Sequence, residues 1–184
     1  MKLRTAGRGK LQPFGVELHA FRRKRRLTEQ QVTAFERRYA VKLPREYRAF
    51  LTGVANGGAG PAYGLYSLAE AVTSMRGRVP HDFLRTPFPY TDAYHPFEDE
   101  DEEDEGERSD LYPTAGTLVL CHEGCGILHL LVVAGPSRGQ MWVDNRCNDQ
   151  GLYPLGVTFL DWYERWLDNT LAGGDGIWWH DLAE

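Results

Sequence analysis

The amino-acid sequence predicts a single α+β domain: an antiparallel sheet of about four to six strands, with an N-terminal helix pair and a C-terminal helix packed against it. Three observations predict it. Residues 28–68 read as two short helices hinged at Leu43-Pro44 and stopped by Asn56-Gly57-Gly58. Residues 117–144 hold three apolar runs joined by short glycine turns, the pattern of a meander. From Thr158 a wide apolar stripe recurs at helical spacing.

In chain order, residues 1–26 form an N-terminal arm. Within it Phe14, Val16 and Leu18 alternate with Glu17 and His19, which predicts a short strand or extended segment. The basic run Arg22, Arg23, Lys24, Arg25, Arg26 follows, and it reads as a solvated turn, since no aromatic residue interleaves it to stack on bases. Thr28 and Gln31 form a capping box that opens the first helix, with Val32, Ala34, Phe35 and Tyr39 near one face and Glu29, Glu36, Arg37 and Arg38 mostly elsewhere. Pro44 is tolerated only at a helix start, so it begins the second helix, which buries Tyr47, Phe50, Leu51 and Val54. The glycine run from Asn56 supplies the positive φ that ends it.

Residues 63–68 then predict a strand, and Ser67 with Glu70 a second capping box opening a short helix toward Met75. Residues 81–96 carry Pro87, Pro89 and Pro96 among Phe83, Phe88, Tyr90 and Tyr94. That proline density predicts an extended segment anchored by its aromatics. Strands are expected at 117–121, 127–133 and 140–144, with a loop over 145–154. The final helix, capped by Thr158, carries Phe159, Leu160, Tyr163, Trp166, Leu167 and Leu171 on its apolar stripe and ends at Gly173-Gly174.

A chain of 184 residues with 42% hydrophobic and 26% charged content is ordinary for a globular domain. No apolar run approaches the ~18 residues of a spanning helix, and the basic start lacks the apolar stretch of a secretory signal. Three cysteines suggest no disulfide framework, so a reduced, cytoplasmic setting is expected. The net charge of −5 conceals an asymmetry: residues 98–107 hold nine carboxylates, which leaves the rest mildly basic.

Phe35-Glu36, the run Leu43-Pro44-Arg45-Glu46-Tyr47-Arg48-Ala49-Phe50-Leu51, and Asn56-Gly57-Gly58 together resemble the opening signature of the SUKH superfamily. That group contains the fungal cell-wall-synthesis-regulator-like proteins and many bacterial immunity proteins. Gly124-Cys125-Gly126, Trp142-Val143-Asp144 and the helix from Thr158 agree with it. The resemblance runs over roughly 27–171, so the domain reads as SUKH-like over 27–184 with an acidic insertion at about 98–107. It implies a non-enzymatic protein-binding module, an immunity protein that neutralises a cognate toxin by direct binding. A regulatory or scaffolding domain in signalling or cell-wall synthesis is the alternative.

The partner expected is a protein, a toxin domain that itself targets nucleic acid; no direct nucleic-acid, membrane or cofactor contact is expected. The carboxylates Glu98, Asp99, Glu100, Asp101, Glu102, Glu103, Asp104, Glu105 and Glu107 present a field of the same sign as a nucleic-acid backbone and would steer onto a basic cleft. Asn56 and Tyr63 in the glycine loop, with Trp178 and Trp179 near the end, are the further candidate contacts, although paired tryptophans also dock in a groove of their own domain. Cys121, His122, Cys125, His129 and Cys147 are the cluster that could carry zinc or thiol chemistry. Strand alternation opposes their convergence.

Overall fold

A computed structural model of the chain describes residues 11–74, 80, 82–95 and 113–179. The acidic run at 98–107, with 1–10, Met75, His81, Pro96, Phe97 and His180, lies outside the described residues.

The arm is not a strand. Gly15 enters at φ 74 and starts a four-residue helix, α1 (Val16–His19), closed by Ala20 and Phe21 with φ of 44 and 53. Val16 and His19, three apart, face inward while Leu18 faces out. The alternating pattern therefore had the wrong period. The predicted capping box forms at Thr28: its hydroxyl accepts the Gln31 amide at 3.2 Å and its amide donates to the Gln31 side chain at 2.9 Å. It opens α2 (Glu29–Arg38), and Pro44 precedes α3 (Arg45–Gly53). Glu36 departs from the amphipathic reading. It is buried at the corner between these helices, accepting the Leu43 amide at 3.1 Å and the Lys42 ammonium at 3.3 Å. Arg138 clamps the same corner from the far side, donating to the carbonyls of Lys42 and Leu43.

The Ser67–Glu70 box opens α4 (Leu68–Thr73) as predicted. Residues 82–95 turn once and then run irregularly, with Phe83 and Phe88 buried and Tyr90 stacked on Tyr94 at 4.4 Å. The sheet is antiparallel with spatial order matching chain order: β1 (Thr117–Gly124), β2 (Ile127–Val132), β3 (Gln140–Asp144) and β4 (Leu152–Thr158). β4 begins inside the predicted loop. Pro154 and Gly156 argue against a central strand, but β4 is the outermost of the four, where a missing donor is tolerated. A single bridge to Tyr94 guards its outer side.

Thr158 accepts the Asp161 amide and caps α5 (Phe159–Leu171), which lies on the sheet and against α3. Its Phe159 and Tyr163 rings meet Tyr47 and Phe50 at about 5 Å. Trp162 and Trp179 cover His129 on one face of the sheet, while Phe88 covers Trp142 on the other. Both faces are thus filled by large aromatics, which is what a central apolar strand requires. The arm and the C-terminal segment meet where the Phe14 amide donates to the Asp175 carbonyl at 2.7 Å. Among the described residues, no helix is long and apolar enough to cross a membrane.

Beyond β1 the hydrogen-bond ladder continues without regular strands. Tyr66 donates to the Leu120 carbonyl at 2.7 Å, and Gly58 and Leu65 exchange both amide–carbonyl bonds at 2.7 and 2.8 Å. Lys24 donates to Gly57 at 3.0 Å and Ala59 to Arg22 at 2.7 Å. The predicted strand at 63–68 is therefore one bridge at Leu65, since Gly64 at φ 93 bends the chain within it. Gly58 must be glycine here: its φ is 95, and a Cβ would lie 2.4 Å from the Arg22 carbonyl oxygen.

Candidate interaction surface

Tyr63 stands at the tip of the turn after the glycine run, where Gly64 donates to the Pro61 carbonyl at 2.9 Å. Gly15 rides directly on the Ala62 carbonyl, 2.2 Å from where a Cβ would sit, and this close approach lays the Phe14 ring on Tyr63 at 5.1 Å. On the other side Tyr63 meets His122 at 4.8 Å, and His122 stacks on Tyr66 at 5.9 Å. Four rings from three chain segments thus form one ridge. Phe14 is 37% exposed, nearby in sequence Leu18 is 65% exposed, and the other three rings are half-buried. Gly124 leaves room for the Tyr63 ring, its phenol oxygen 3.2 Å from a Cβ placed there. Burial raises the Tyr66 phenol above its ordinary range, so it is a neutral donor at physiological pH.

The remaining candidate contacts separate. Asn56 points inward: its side-chain oxygen accepts the Leu68 amide at 2.9 Å and so fastens the glycine run to the start of α4. Trp179 is fully buried, its indole N–H donating to Glu123 at 3.1 Å, so the reading of it as a surface anchor is corrected to that of a core residue. Trp178 is half-buried beneath the Arg165 guanidinium, 4.8 Å from its ring centre. The nine carboxylates of 98–107 lie outside the described residues.

Cys121, His122, Cys125, His129 and Cys147 do not gather into one site. A bulge in β1 places Cys121 opposite His129, yet both are buried. Desolvation, then the Glu123 charge, pushes the Cys121 thiol up, and the side chain packs as a small core hydrophobe. His129 Nε2 lies 3.0 Å from Glu123 Oε2, the carboxylate that Trp179 also reaches. Cys125 and Cys147 are exposed at the far end of the β1–β2 hairpin, where the Cys147 thiol donates to the Cys125 carbonyl. Among the described residues no group of three or more His, Cys, Asp or Glu side chains is placed to hold a metal ion. The aromatic ridge escaped sequence reasoning, apart from Tyr63, because its members come from positions 14, 63, 66 and 122. The turn and the capping box were legible, but the arm's return onto them was not.

An open four-stranded antiparallel meander with a C-terminal helix packed on it and an N-terminal helix pair against that helix defines the class, an α+β domain with an aromatic ridge beside the glycine run. The model of the SMI1 / KNR4 family (SUKH-1) matches residues 26–165, and the chain belongs to that family. No curated protein and no solved structure gives a significant match.

Proposed function

We propose that this chain is a non-enzymatic binding module of the immunity type, which neutralises a cognate bacterial toxin by covering it. Membership of the SMI1 / KNR4 family supports an immunity or regulatory module. The observation that carries the binding reading is the ridge of Phe14, Tyr63, His122 and Tyr66, with Phe14 exposed at its end. Rigid aromatic side chains with one polar tip are the residues that dominate interface energies, because they bury much area for little lost rotamer freedom. The acidic run at 98–107 adds a long-range term: nine carboxylates attract a basic cleft, of the kind a nucleic-acid-targeting toxin carries, and raise the association rate.

The test begins with the partner recovered by pull-down and identified by mass spectrometry. Tyr63→Ala and Phe14→Ala should each weaken its binding by about tenfold or more, mainly through faster dissociation, as expected for central aromatic contacts worth ~1–3 kcal/mol. Changing the acidic run to Asn and Gln should slow association and flatten its salt dependence while leaving dissociation alone. Unchanged affinity in both sets, with the variants folded, would overturn the reading. So would a small molecule turned over by the purified chain.

A further inference from the structure

The basic run at 22–26 is not a solvated turn but the outermost rung of the extended ladder. Arg22 and Lys24 use their backbone carbonyl and amide on Ala59 and Gly57, so the amide and carbonyl of Arg23 point the other way, and continued alternation of the extended chain turns those of Arg25 outward too. Those outward groups have no partner among the described residues. The strip is held in place from the inner side. Lys24 pairs with Glu70 on α4, and Arg26 donates to the Gly53 carbonyl at 3.3 Å. Arg22, Arg23 and Arg25 are exposed and have no carboxylate partner among the described residues. Two grooves border the strip, one lined with Thr28, Gln31 and Thr52 and the other with Gly53 and Val54.

From this edge we infer that the chain binds an acidic, extended peptide segment of a partner protein by strand addition along Arg23–Arg25. An open edge supplies main-chain donors and acceptors in register for another strand, and the flanking side chains decide which strand is accepted. Arg22, Arg23 and Arg25, unpaired among the described residues, disfavour a second copy of the same edge and any basic strand, and they favour one carrying Asp or Glu. A nucleic acid would satisfy the charges, and its phosphates can accept from the outward amides, but it offers no alternating row of donors and acceptors in register with the outward carbonyls. The inference goes beyond the toxin-binding reading, and it concerns a different surface from the aromatic ridge.

The experiment uses the full chain alone, so its result does not depend on the toxin. A fluorescent nine-residue peptide alternating Glu and Val is titrated by anisotropy, beside the same peptide N-methylated at alternate residues and a single-stranded oligonucleotide of equal charge. The plain peptide should bind with a steep salt dependence, the N-methylated one at least tenfold more weakly, and the oligonucleotide more weakly than the plain peptide. Arg23→Glu with Arg25→Glu should cost at least tenfold. Should that variant misfold, hydrogen exchange on the unmodified chain decides instead: the Arg23 and Arg25 amides should gain protection when peptide is added. Equal binding of the N-methylated peptide, or unchanged exchange at those amides, would reduce the site to general electrostatics and overturn strand addition. Tighter oligonucleotide binding would replace it with a nucleic-acid site. Concentration-dependent self-association of the chain that the peptide fails to dissolve would assign the edge to a second copy.

Discussion

At the scale of single residues, buried carboxylates do most of the specifying. Glu36 and Glu123 are 4% and 8% exposed, and each is bonded to groups from separate elements. A buried carboxylate without such partners would be strongly disfavoured, so each one permits a single arrangement of its neighbours. Trp179→Phe keeps the ring in the core but removes one N–H from Glu123. It should cost about 1–3 kcal/mol, read from urea denaturation, because a buried charge then loses part of its compensation. A cost below about 0.5 kcal/mol would mean that the indole contributes packing alone. Glu70 gives a residue-level pH prediction. The Lys24 ammonium, then the Ser67 hydroxyl, holds its carboxyl at about 2, below the usual 4.5. A lowered acid pKa contributes stability that is complete above the unfolded value and is lost as pH falls toward about 2. The Lys24→Met variant should therefore lose its difference from the parent chain between those limits, in acid titrations followed by circular dichroism. Both groups are largely exposed, so the size of that difference is small.

Elements were legible in the sequence wherever their signal was local. Both capping boxes, the Leu43-Pro44 hinge, three of the four strands and the final helix stand where side-chain period and turn chemistry place them. Three features were not legible, each because a distant partner decides it. α1 depends on Gly15 seating against Ala62, β4 on its place at the outer side of the meander, and the bridge at Leu65 on Gly58. The candidate surface followed the same rule: Tyr63 stood out beside its glycines, whereas Phe14, Tyr66 and His122 reach it only through the fold. The arm is also the element that pH should loosen. His19 packs between Phe21 and Trp166, and burial lowers its pKa below the usual 6.5 despite the opposing charge of Glu17. A lowered histidine pKa means that the unfolded arm takes up protons first, so its docking is full above about 6.5 and weakens as pH falls below that value. Faster hydrogen exchange of the Ala20 and Arg22 amides at pH 5 than at pH 7.5, after correction for intrinsic rates, is the expected result. His19→Phe should remove that pH dependence.

For the molecule as a whole, the fully buried Trp162 and Trp179 join α5 and the C-terminal segment to His129 of the sheet. Removing residues 177–184 takes Trp179 out of that cluster, and loss of one buried Trp costs about 3–5 kcal/mol. Domains of this kind have only ~5–15 kcal/mol in total. The shortened chain should therefore melt far lower, or not fold at all at 37 °C, as calorimetry would show. The charge of the molecule is likewise divided between regions. The acidic run outweighs a mildly basic remainder, and the exposed cations at 22–26 lie on the ladder edge, apart from the aromatic ridge.

The single amide of Phe14 on the Asp175 carbonyl joins the arm to the segment after α5. Pulled by residues 11 and 175, the molecule would meet its load first at that clasp, while the four sheet strands stay shielded behind it. Under tension it should give way in two steps: a short early lengthening as arm and tail part, then a larger rip as the meander unravels.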